Sequence, residues 1–400
     1  MTHVARSLGP VLLLGLLVAG CGGSSSGGTP TAGPFSGATA AGASSASSAA
    51  PASGSQQSAA PQPGSSQGAA SSSAPSSATR PALPTVSGWL PYWTYAAADP
   101  IVDANTGNGL DEVNTFGMGL QPDGSLLKRR GVEDQSRIDR IRARGGEVIP
   151  TIYDVHDRTA LEQVVASPAL RARAIQSMVA LLDQNPAYDG IDIDFEHAKT
   201  AFKDAFSRFV AELGREVRAR GKVFSVTIPG KRAGSRSWGG YDYAALGAAA
   251  DRVKIMCYGY SGTWTAAPGG PIAPTDWIEK VLDYATSVIP RAKLQIGIPF
   301  YGYDWPSDGS RIRSVTYRRA QTLLQSHPQA RVTFVTSRGE AKFTYTEAGV
   351  LHTVWFSEER SIAAKASLAK RYGVRGISIW ALGYGDRPLW DALRRTLKTP

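Results

Sequence analysis

Four hundred residues leave room for two or three domains, but the composition is uneven. Residues 1–80 hold no Asp, Glu or Lys and only Arg6 and Arg80, so most of the net charge of +10 lies beyond them. The only cysteines, Cys21 and Cys257, exclude a disulfide-stapled scaffold, and the basic excess comes without the basic-aromatic module of a nucleic-acid-binding protein.

Arg6 followed by the apolar run Val11 to Ala19 has the layout of a secretory signal peptide and is too short for a membrane span. Leu17-Val18-Ala19-Gly20-Cys21 resembles a bacterial lipobox. The expectation is that residues 1–21 form a lipoprotein signal peptide and that lipidated Cys21 begins the mature chain. Residues 22–84 are nearly all Ser, Ala, Gly, Pro, Thr and Gln, too poor in apolar surface to offset ordering entropy. They read as a disordered tether that, as a flexible coil, would span roughly 40–45 Å. The protein is thus expected to be exported and anchored by lipid to the outer face of the cell membrane, reaching into the cell wall.

Residues 85–400 alternate short apolar runs with amphipathic stretches. The predicted strands are Val86–Trp89, Val113–Phe116, Glu147–Tyr153, Gly190–Glu196, Val223–Ile228, Arg252–Tyr258, Leu294–Pro299 and Gly376–Trp380. Between them, Ser167-Pro168 reads as a helix N-cap with proline in the first turn, ahead of a stripe of Ile175, Met178, Val179 and Leu182. A second stripe, Phe202, Phe206, Phe209, Val210, Leu213 and Val217, is closed by Gly221. Thr275 to Val288 and Ser357 to Tyr372 read the same way, with Gly373 ending the latter. Eight strand–helix alternations predict a parallel (β/α)8 TIM barrel, and no glycine-rich phosphate fingerprint favours an open doubly wound sheet. One interval, about 307–353, is too long for a βα loop. Its helical piece and three strand-like runs predict a small α+β insertion between strand seven and its helix, walling a cleft at the carboxyl end of the barrel.

Asp189-Gly190-Ile191-Asp192-Ile193-Asp194-Phe195-Glu196 carries the chemistry. Strand side chains alternate, so Asp192, Asp194 and Glu196 form a ladder with roughly 6.5–7 Å between successive acids. Three readings suit such a ladder. It is a solvated acidic face, a hard-cation site, or an acid/base site in which crowding keeps one carboxyl protonated near neutrality. Because barrel active sites lie at the carboxyl ends of strands, Asp194 and Glu196 fall on the active face with Asp192 deeper, which disfavours the first reading.

The run Asp189 to Glu196 resembles the DGxDxDxE signature of the family 18 glycoside hydrolases, the chitinases and related N-acetylglucosaminidases. The resemblance extends over most of 86–393. Met256-Cys257-Tyr258 is similar to that family's Met-x-Tyr, and Ser378-Ile379-Trp380 to its strand-eight tryptophan. Ile298 to Trp305 with Ala273-Pro274 looks most like the bacterial spore-cortex and cell-wall branch. The resemblance implies a retaining, substrate-assisted mechanism on β-1,4 bonds next to N-acetylglucosamine, in peptidoglycan or chitin oligomers, without metal or other cofactor. Glu196 would be the general acid and then base. Asp194 would orient the substrate acetamido group, Asp192 would share a proton or hydrogen bond with Asp194, Tyr258 would donate to the acetamido oxygen, and Trp380 would stack beneath the sugar. Met256, Tyr92, Tyr260 and Tyr301 join these as substrate-binding candidates, and the chain is expected to act as a monomer. Where the family has an acid after the tyrosine this sequence has Gly259, which keeps open an inactive, carbohydrate-binding alternative.

Trp93, Phe116, Tyr153, Tyr303 and Trp305 are further aromatic candidates, for sugar stacking or for plain packing. Asp154-Val155-His156-Asp157 reads as a polar loop rather than a metal site, lacking a second His or Cys at ligand spacing. His197 reads as a loop residue, Asp189 as a support for the strand's entry turn, and Cys257 as an inert buried thiol.

Overall fold

The computed structural model describes residues 83–154 and 159–398. The expected leader with Cys21, nearly all of the tether, and loop residues 155–158 lie outside the described residues. Eight parallel strands close a barrel: β1 (Thr85–Pro91), β2 (Glu112–Leu120), β3 (Thr151–Asp154), β4 (Gly190–Asp194), β5 (Val223–Pro229), β6 (Arg252–Met256), β7 (Leu294–Pro299) and, last in the chain, β13 (Gly376–Trp380). Each pairs with its sequence neighbour, and β1 closes the ring against β13 (Val86 opposite Ile377) and β2 (Gly88 opposite Val113). This is the (β/α)8 TIM barrel that the alternation predicts.

Strand parity divides the barrel into two environments. Ile191, Ile193 and Phe195 of one parity are buried beneath the outer helices, whereas Asp192 and Asp194 of the other point inward. Helix α5 (Lys203–Ala219) covers Phe195 with Phe206 and Phe209, the ring centroids lying 6.4 and 5.9 Å away. Its neighbour α4 (Pro168–Gln184) starts as expected: the Ser167 hydroxyl accepts from Leu170 N–H at 3.3 Å and Pro168 takes the first turn. Gly190 has a steric reason to be glycine. A Cβ there would lie 2.1 Å from the Val223 carbonyl oxygen, so a side chain would push β5 away from β4.

The barrel floor is ionic. Glu112 of β2 pairs with Arg252 and, at 2.7 Å, with Lys254 of β6, while Lys254 Nζ also lies 3.3 Å from Asp192. Burial opposes ionisation of Glu112, but the two cations outweigh it and hold the carboxyl at about 2.

The insertion is a five-stranded antiparallel sheet of β8 (Tyr301–Pro306), β9 (Arg313–Thr316), β10 (Thr333–Val335), β11 (Glu340–Glu347) and β12 (Val350–Phe356), with a helix, Tyr317–Ser326. It starts earlier and ends later than the 307–353 expected. Phe300 is the last residue tied to the barrel, its N–H donating to Trp380 O at 2.8 Å, and Tyr301 already pairs with Thr316. The insertion has its own small core of Val315, Leu323, Phe343, Val354 and Phe356. Glu340, fully buried, fastens it to the barrel's surroundings: its carboxylate accepts from Ile272 N–H (2.6 Å) and Ala273 N–H (3.0 Å) and pairs with buried Lys365 at 3.1 Å. At the insertion's root the Ser357 hydroxyl donates to Pro299 O at 2.8 Å.

Candidate active site

The acids of β4 climb from floor to mouth. Asp192, with no solvent exposure, is saturated by neighbours: its oxygens accept from Thr151 (2.9 Å), Thr227 (3.1 Å) and the Trp89 indole (3.3 Å), beside the Lys254 cation. Asp194 is buried one step higher, and its Oδ1 has no hydrogen-bond partner among the described residues. Burial, then the charges of Glu196 and Asp192, push its carboxyl well above the usual carboxylate range. Asp192 therefore bears on Asp194 through charge, with its own oxygens engaged elsewhere.

Glu196 does not end the strand as the alternation suggests; β4 stops at Asp194, and Glu196 lies two residues on, half-buried. The cause is Asp154 at the tip of β3. Its carboxylate accepts from the backbone N–H groups of Glu196 (3.1 Å) and His197 (2.9 Å) and meets His197 Nδ1 at 2.6 Å. Backbone donors engaged by a side chain leave the sheet ladder. Burial, then the Asp154 charge, raise the Glu196 carboxyl to about 7, against a smaller opposing pull from His197. A glutamic acid that keeps its proton near neutrality at a barrel mouth can act as a general acid.

Aromatic side chains surround the acids. Trp380 ends β13 and is met by Phe116 edge-on at 5.1 Å and by Trp89 at 6.0 Å. Phe116 in turn stacks on Tyr153, ring centroids 4.6 Å apart. Across the mouth, Tyr258 meets Tyr301 edge-on at 6.3 Å, and burial, then the Asp194 charge, push the Tyr258 phenol well above its ordinary range. Met256 closes β6 two residues before Tyr258, so that strand too is shorter than the sequence suggests. Tyr301 belongs to the insertion's first strand. Tyr92 and Trp93 stand at the rim after β1, their rings 4.9 Å apart. Tyr260 lies farther out, 46% exposed, flanked by Trp277 and by the Arg338 guanidinium. Tyr303 and Trp305 are buried, and Trp305 Nε1 donates to Thr265 O at 3.0 Å, which marks it as packing.

Gly259 has a backbone reason. At φ +76° an L side chain would be strained, so the backbone here favours glycine over a carboxylate-bearing residue. Asp189 is a support: it accepts from Val148 N–H at 2.8 Å and pairs with Arg142. Cys257 is buried, and burial pushes its thiol upward. Asp154 and Lys254 are the functional-site residues that sequence reading missed. Lys254 carried a signal, being a cation on the inward parity of an otherwise apolar strand. Asp154 carried a weaker one, an acid at a strand's carboxyl end next to β4.

A parallel barrel whose mouth holds a glutamic acid with a raised carboxyl above a column of aspartates has the make-up of an acid–base hydrolase. The model of the glycosyl hydrolases family 18 matches residues 91–385. This chain belongs to that family and is a glycoside hydrolase. It is 31% identical over 253 residues to the glycosylase YvbX of Bacillus subtilis, covering 62% of this chain and 72% of that one. It is 30% identical over 210 residues to the cortical fragment-lytic enzyme of the same organism, covering 50% of this chain and 48% of that one. The crystal structure of a chitinase from Chromobacterium violaceum superposes with a TM-score of 0.72 at 28% identity, over 79% of this chain and all of the other.

Proposed function

We propose that this enzyme cleaves β-1,4 bonds next to N-acetylglucosamine, in peptidoglycan or chitin oligomers, with retention and with help from the substrate's own acetamido group. The observation that carries the proposal is Glu196: half-buried at the mouth, fixed through its backbone by Asp154, and holding its proton up to about 7. In the first step its proton passes to the glycosidic oxygen as the acetamido carbonyl oxygen attacks the anomeric carbon, the leaving sugar departs and an oxazolinium ring closes. In the second, the Glu196 carboxylate takes a proton from water, whose oxygen opens that ring.

Asp194 receives the acetamido N–H and steadies the positive charge developing on the ring. What supports this role is its buried Oδ1 without a partner, an acceptor in need of a donor. Asp192 supplies charge beneath, Tyr258 donates to the acetamido oxygen, Trp380 floors the sugar, and Met256, Tyr301, Tyr92 and Tyr260 line the approaches. The lipobox-like Cys21 and the low-complexity segment support an exported enzyme tethered at the outer membrane face.

Glu196→Gln tests the proposal. Turnover of a chitooligosaccharide falls at least ~100-fold while binding persists. An oxazoline-mimicking thiazoline inhibits the wild type competitively. Failure of the thiazoline to bind refutes substrate assistance, and full activity in the glutamine variant refutes the assignment of Glu196.

A further inference from the structure

The acids account for the centre of the cleft, and Arg129 offers a cation at its rim. Arg129 follows a three-residue strand, Leu126–Lys128, and its backbone N–H donates to Gly117 O at 2.8 Å. Its guanidinium lies over the Tyr92 ring, 5.6 Å from the centroid, and against the Tyr153 hydroxyl. Tyr153 is in register with Asp194 of β4, and its ring stacks on Phe116, which meets Trp380. Arg129 therefore stands at the outer end of a row of rings, Tyr153 and Phe116, that leads to Trp380.

No carboxylate pairs with Arg129 among the described residues, and its buried Nε lacks an acceptor. The adjacent Lys128, by contrast, pairs with Glu133 at 2.8 Å. A guanidinium presents a planar fork of donors that matches a carboxylate, and two tyrosines already hold this one in place, which reduces the entropy lost on binding. A neutral chitin oligomer has nothing that such a fork requires. A peptidoglycan strand has carboxylates, that of the lactyl group where muramic acid bears no peptide and those of the stem peptide where it does.

We propose that Arg129 is a specificity-determining residue that receives a substrate carboxylate, so that the cleft favours acidic, muramic-acid-containing glycan over neutral chitin. The inference rests on the glycosidase reading of the cleft. It is tested by binding to Glu196→Gln protein, with four tetrasaccharide probes: chitotetraose, a peptide-free strand alternating N-acetylglucosamine and N-acetylmuramic acid, the same strand with its carboxyls converted to amides, and the strand bearing stem peptides. The acidic strand binds about tenfold tighter than its amide, the range of one charge-assisted contact at a partly exposed site. Adding Arg129→Gln brings that ratio close to one, and Arg129→Lys keeps part of it. A preference already present without peptides assigns the carboxylate to the sugar, and one that requires them assigns it to the stem; both support the site. A ratio near one in the starting protein, with no tighter binding of the peptide-bearing strand either, overturns the proposal, as does a preference indifferent to Arg129→Gln or an equal loss for acid and amide. Turnover of the same probes by the wild type reports separately on the glycosidase reading. No cleavage with the binding preference intact removes that reading and keeps this one.

Discussion

At the scale of single residues the site turns on where one proton rests. In the proposed role Glu196 donates only while protonated, so kcat/KM is expected to fall as pH rises through about 7. A flat profile between pH 4 and 8 would contradict this. Asp154 acts on that proton from the neighbouring strand, holding the Glu196 backbone and raising its carboxyl by charge. Asp154→Asn keeps an acceptor for one N–H but removes the charge. The alkaline limb should move toward acid, with kcat lowered by about tenfold, a merely positional loss being expected to leave the limb where it is. The raised carboxyl also bears on stability. Above the ordinary glutamate range the unfolded chain releases this proton more readily than the folded one, so the group destabilises the fold increasingly as pH climbs from about 4.5 to about 7. Glu196→Gln should therefore melt higher than the wild type at pH 8 and nearly equal to it at pH 4, as calorimetry would reveal.

At the scale of elements, the strands were largely legible because period-two alternation survives in the sequence: Ile191, Ile193 and Phe195 outward, Asp192 and Asp194 inward. The ends of β4 and β6 were not. What ends β4 is the carboxylate of Asp154, 42 positions upstream of Glu196, and no local pattern announces so distant a partner. Lys254 illustrates the same limit, since its inward parity is visible but its partners sit on β2 and β4. Those partners make a strong prediction. Glu112 contributes stability that is complete above about 4.5 and lost only as pH falls toward about 2, worth on the order of 3 kcal/mol. Lys254→Met would leave buried Asp192 without a cation and Glu112 with Arg252 alone, and cost at least ~3 kcal/mol in chemical denaturation at neutral pH. A loss below ~1 kcal/mol would show that the floor does not depend on this cation.

For the whole molecule, the insertion is the part that the sequence outlined least well, because β8 continues the chain almost directly from β7 with only Phe300 between them. Its attachment is carried by Glu340, which joins β11, the loop at Ile272 and Ala273, and Lys365 of the helix Glu359–Tyr372. Glu340→Ala leaves Lys365 unpaired and two N–H groups without acceptors in a dry interior. The expected cost is ~3–5 kcal/mol, measured as the shift of the denaturation midpoint, together with a higher KM because Tyr301 stands on the loosened sheet. An unchanged midpoint would mean that packing alone holds the insertion.

That attachment has a bearing on traffic. A sheet stapled at its root by Ser357 and Pro299 and bolted midway by Glu340 cannot swing aside like a flap to admit a polymer. Any glycan that the proposed reaction takes would then meet a wall whose place is set before it arrives.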